Sequence, residues 1–104
     1  MAQYPANYQW LTSQFGSVIS AHQQLGKELV HAGPLDAKTC QLIKLAGAAA
    51  TKAEGAVHSH IKRALKEGAT PDEIYHTILL LTSTTGFPTA AAALSWARDI
   101  IEQE

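Results

Sequence analysis

The stretch Gly68-Ala69-Thr70-Pro71-Asp72-Glu73 constrains this chain more than any other. Glycine adopts the left-handed conformation that closes a helix, so Gly68 marks a helix end. Two residues later a new helix starts. The Thr70 hydroxyl can accept from the backbone of Glu73 while the Glu73 carboxylate reaches back to Thr70, a capping box. Pro71 falls at the first helical position, where no N–H is needed. Asp72 and Glu73 lie at the positive end of the helix dipole.

The helix that Gly68 closes carries the chain's most informative pattern. At about 100° per residue, Ala53, Ala56, Val57, His60, Ile61, Ala64 and Gly68 share one face. Ser59, Lys62 and Lys66 fall opposite, so Lys62, Arg63, Lys66 and Glu67 read as a solvated face. His60 thus sits inside an apolar stripe. His58 lies at the edge of the stripe, toward solvent, one turn beyond Glu54. An imidazole on an apolar face is either a core histidine with a hydrogen-bonded partner or a group kept for chemistry.

The same period runs through the rest of the chain. Residues 1–5 are a polar lead-in, with Pro5 suited to the start of a helix. Tyr8, Leu11, Phe15, Val18, His22, Leu25 and Leu29 then step by three and four as a heptad seam, Trp10 and Ile19 beside it. One helix over about 6–31 would be roughly 39 Å long, more than a subunit of this size needs for its own core. Gly33-Pro34 ends it. Asp36 can cap a second helix over 37–52, made shallow by Gly47, Ala48, Ala49 and Ala50. A break at Glu54-Gly55 leads into the third. The fourth, from Pro71 to about Ser83, is apolar on nearly all sides, and the fifth runs from Pro88 to about Glu102. No segment alternates as a strand does, no repeat is visible and no linker divides the chain. The pattern predicts an all-α fold of five helices in one domain over 1–104. The apolar fourth helix and the over-long first one predict a homo-oligomer.

Composition excludes several classes of function. Eight Lys and Arg balance nine Asp and Glu, so neither nucleic acid nor an acidic ligand-buffering role is indicated. No apolar run approaches the length of a bilayer span, and nothing reads as a signal peptide, so no membrane partner is expected. Cys40 is the single cysteine. It precludes an internal disulfide, fits a reducing cytoplasm, and reads as a small hydrophobe.

Four segments together resemble the carboxymuconolactone decarboxylase and alkylhydroperoxidase D superfamily. They are Leu35–Ile43, His60–Leu65, Gly68–Ile74 and Gly86-Phe87-Pro88-Thr89-Ala90-Ala91, and the likeness spans roughly residues 35–98. It implies a helical subunit assembled into homotrimers or homohexamers. In the peroxidase branch a Cys-x-x-Cys pair works with a histidine four residues later and a glutamate on the preceding helix. Carried over residue by residue, the cysteine positions fall on Ala53 and Ala56, the glutamate on Gln41 and the histidine on His60. Alanine can neither attack peroxide nor resolve a sulfenic acid. The decarboxylase branch also lacks the cysteine pair and keeps the histidine.

Three readings follow. In the first the chain is a decarboxylase-like lyase, with His60 transferring a proton on a small organic acid and Glu54 and His58 orienting it or binding the substrate carboxylate. In the second it is a non-catalytic oligomeric scaffold or small-ligand-binding protein; peroxidase activity is a weaker variant of the enzyme reading. In the third, Glu54, His58, His60 and His76 hold a metal. On a regular helix His58 and His60 point about 200° apart, so no metal and no cofactor is expected.

Overall fold

The structure, a computed structural model, describes residues 6–103. The role assigned to Pro5 lies outside them. The regular structure of the described residues is all helical, with no strand. They comprise α1 (Ala6–Gln14), α2 (Gly16–Val30), α3 (Ala37–Ala50), α4 (Glu54–Lys66), α5 (Pro71–Leu79) and α6 (Phe87–Ile101), with a 3-10 turn at Leu80–Ser83. By contacts the chain forms two compact units, Met1–Pro34 and Leu35–Glu104.

In the first unit the expected single long helix is two. Phe15 leaves helical geometry at φ −132° and ψ 47°, next to Gly16-Ser17, a pair with weak helix propensity. The break lets α1 fold back on α2, so that the Gln23 amide donates to Tyr8 Oη at 2.6 Å. Phe15 meets the Trp10 ring edge-on, centroids 5.9 Å apart. The heptad seam therefore never becomes a continuous rod. Neither helix buries a residue, and Val18, Leu25 and Leu29 remain more than half exposed.

The second unit holds the core. Asp36 caps α3 as expected, its carboxylate accepting from the Thr39 N–H at 2.8 Å. The turn into α4 sits earlier than the sequence suggests. Lys52, not Glu54-Gly55, takes the left-handed conformation at φ 60°. The N–H groups of Lys52 and Ala53 bond back to Ala49 and Ala48, each at 3.0 Å, the paired bonds of a Schellman closure. Glu54 thereby becomes the first residue of α4. The same closure recurs at its far end, where Gly68 at φ 97° and Ala69 bond back to Leu65 and Ala64. The Thr70 capping box then forms in full.

Leu45, Val57, Ile61, Ile74 and Ile78 are wholly buried, with Ala49, Ala64, Ala93 and Ala97 filling the narrow spaces between helices. The alanine-rich surfaces of α3 and α6 let α4 pack closely against both. Lys38 joins the starts of α3 and α5 by a 3.0 Å bond to Glu73. The Thr70 backbone N–H, and then Lys38, hold the Glu73 carboxyl below its usual range. The segment expected as a fourth helix apolar on nearly all sides, over Pro71 to about Ser83, is shorter and leaves part of that surface open in the single chain. Its α-helical part ends at Leu79, and Leu79 and Leu80 are 53% and 60% exposed.

Candidate functional site

The site is built where α3 and α4 pack together. On α3, Gln41 lies one turn before Leu45 and is buried. On α4, His60 follows Val57 and precedes Ile61 and Ala64, all three buried, while its own ring is half-buried. The two side chains meet, His60 Nδ1 lying 3.1 Å from Gln41 Oε1. An amide oxygen only accepts, so Nδ1 carries the proton of this bond. The neutral ring then keeps its lone pair on Nε2, the nitrogen that gains and loses a proton. Burial, followed by the nearby charges of Arg63 and Lys44, pushes the His60 pKa below its ordinary value.

The other sequence candidates take different positions. Glu54 is exposed in the first turn of α4. His58 does not face solvent as its place at the stripe's edge suggests. It is half-buried, and its Nε2 is sealed with no hydrogen-bond partner among the described residues. His76 is exposed on α5. No group of three or more His, Cys, Asp or Glu side chains that could hold a metal ion forms among the described residues.

Ala53 and Ala56 lie at the start of α4, half-buried, and offer no functional group. Cys40 precedes Gln41 and makes only a long sulfur contact, 3.6 Å to the Leu35 carbonyl. Arg63 and Lys44 went unremarked as site residues in the sequence. Their signal is spacing: Lys44 follows Gln41, and Arg63 follows His60, by three residues, one helical turn in each case.

Surface hollows lie elsewhere among the described residues. One, of about 360 Å³, is lined by Tyr8, Gln9, Thr12, Ser13 and Gln23. Another, of about 280 Å³, lies between Thr39, Leu42, Ile43 and Ala46 of α3 and the segment from Thr77 to Thr84. His60 lines neither.

The model of the carboxymuconolactone decarboxylase family matches residues 18–99. The chain belongs to that family. The match takes in most of α2 and everything from α3 to nearly the end of α6, and so includes both Gln41 and His60. No curated protein and no solved structure matches the chain. No helix among the described residues of this family member is long and apolar enough to cross a membrane.

Proposed function

We propose that this member of the family is a lyase-type enzyme in which His60 exchanges a proton with a small organic acid, without thiol chemistry. The observation that carries the reading is the 3.1 Å bond between Gln41 and His60. It fixes the ring and leaves Nε2 as the atom that exchanges protons. In a decarboxylation the carbon–carboxylate bond breaks, CO2 departs, and the electron pair left behind takes up one proton. Protonated Nε2 would donate that proton and recover another from water, a general acid–base role. Glu54 and His58 remain candidates for orienting the substrate.

The working form is a homo-oligomer, trimeric or hexameric. Its support is the apolar surface each unit leaves uncovered: Val18, Leu25 and Leu29 on α2, and Ile43, Leu79, Leu80 and Phe87 in the second unit, all more than half exposed. A second reading, an oligomeric scaffold or ligand-binding protein, is favoured by the residues at the redox positions: Ala53 and Ala56 carry no functional group and Gln41 no charge.

CO2 release from a panel of small lactone and unsaturated carboxylic acids separates the two. With an active acid in hand, His60→Ala should lower turnover at least ~100-fold, and His58→Ala much less. A fully active His60→Ala protein would make the histidine structural. Inactivity on the whole panel would favour the scaffold.

A further inference from the structure

Gln41 is only 8% exposed, yet its amide is half used. Oε1 accepts from His60 Nδ1 at 3.1 Å. The amide nitrogen carries two N–H donors, and neither has a partner among the described residues. His60 Nε2 has none there either. Among those residues the side-chain atom that is both sealed and unpartnered is His58 Nε2, so the free nitrogens of Gln41 and His60 still touch solvent. A buried amide with unmatched donors forgoes the stabilisation that an acceptor would give. Each free nitrogen is two covalent bonds from an atom of the 3.1 Å contact, Gln41 Nε2 through Cδ and His60 Nε2 through Cε1. A molecule of a few heavy atoms is long enough to reach both.

The pair thus presents an N–H donor from α3 and, on the neutral ring from α4, a lone pair. That pattern suits an acid, whose oxygen accepts from the amide while Nε2 exchanges the proton. We propose that Gln41 binds the substrate as well as holding the ring, its amide N–H donating to a carbonyl or carboxylate oxygen of the acid at His60. This rests on the reading of His60 as the proton-transfer residue. A glutamate in the same place would also hold Nδ1, but its second oxygen is an acceptor and would turn the substrate oxygen away. The amide keeps the grip on the ring and supplies the donor. Negative charge on the substrate oxygen, whether present in the bound acid or developing during the reaction, is stabilised by that donor. Gln41 is then a specificity-determining residue: it admits an oxygen acceptor and refuses a group that can only donate.

The test follows the Gln41 side-chain NH2 signal and the His60 ring nitrogens by NMR in the full chain. Three probes on a five-carbon chain are compared at matched ionic strength. Levulinate carries a ketone and a carboxylate, pentanoate the carboxylate alone and 2-pentanone the ketone alone. At about pH 8, above the ordinary histidine value, the free protein should show the ring proton on Nδ1. A proton on Nε2 instead would mean that the amide is turned round, and would overturn the proposal. Levulinate should move the Gln41 NH2 signal downfield and saturate; a signal that ignores it would also overturn the proposal. A matching response to pentanoate would assign the contact to the carboxylate oxygen, and one to 2-pentanone to the carbonyl oxygen. Gln41→Glu keeps an acceptor for Nδ1 without the donors, and Gln41→Met is uncharged and has no donor. Each should bind levulinate about tenfold more weakly; undiminished affinity in both would sink the assignment. If His60→Ala abolishes turnover but the Gln41 signal ignores levulinate, the enzymatic reading survives and the substrate contact fails. If the signal responds and His60→Ala is fully active, the reverse holds.

Discussion

Gln41 and His60, nineteen residues apart in sequence, meet at 3.1 Å across the packed helices α3 and α4. At the Gln41 position the peroxidase branch that this chain resembles has a glutamate, and the difference changes the electrostatics of the ring. A carboxylate would stabilise the imidazolium; an amide orients the ring without adding charge. The pair here is held without an acidic charge.

Gln41→Glu should therefore restore the missing charge. With the ring held at the same distance, the His60 pKa should rise by about 1–3 units, the range produced by a neighbouring opposite charge. Ring chemical shifts followed over pH measure this directly. An unchanged value would mean that the side chain at position 41 does not govern the ring.

The lowered His60 pKa also makes a prediction about stability. Burial comes first among its causes, then Arg63 and Lys44. Below about pH 6.5, the ordinary histidine value, the unfolded chain binds more protons than the native state. The stability that the neutral ring contributes is thus present above that pH. It is lost as pH falls toward the lowered native value, below which the loss levels off. Chemical denaturation from about pH 7.5 to about pH 5.5 should show the parent losing more stability than His60→Gln. A gap between the two proteins that stays constant or grows as pH falls would contradict this.

Light scattering at micromolar concentration should give a mass of at least three subunits. Val18, Leu25 and Leu29 on α2 and the neighbours Leu79 and Leu80 are each more than half exposed, and grouped apolar side chains in water mark interaction surfaces. Charged substitutions there, Leu25→Glu on α2 and Leu80→Glu in the second unit, should each lower the mass. A stable monomer of the parent chain would refute the assembly.

Thiol peroxidase turnover should be absent. Ala53 and Ala56 stand where the resemblance implies cysteines, and Cys40 has no second cysteine to resolve it. Without an external thiol, peroxide consumption should stop after at most one equivalent per subunit, and a supplied dithiol should add no turnover above that of Cys40→Ser. Sustained turnover that disappears in Cys40→Ser would make Cys40 the nucleophile.

How much of this was legible beforehand differs from residue to residue. The Asp36 cap, the Gly68 closure and the Thr70 capping box could all be read directly, because each depends on a few neighbouring residues with distinctive chemistry. The break at Phe15 could not. A heptad seam runs unbroken through it, and the local weakness of Gly16-Ser17 decided the outcome only together with the folding back of α1 onto α2. The left-handed Lys52 was hidden for a related reason: lysine pays a steric cost there that the two backbone bonds to Ala49 and Ala48 offset.

The sequence by itself determined the helical class, most of the helix ends and the apolar stripe holding His60, since periodicity and capping are local properties of a chain. Tertiary structure decided the rest. Only the packing of α3 on α4 brought Gln41 to His60, and only the tertiary fold sealed Nε2 of His58 instead of leaving it in water. Those are relationships between separate helices. They depend on the distance and rotation at which two helical surfaces meet, which the small alanine side chains permit and no single helix specifies.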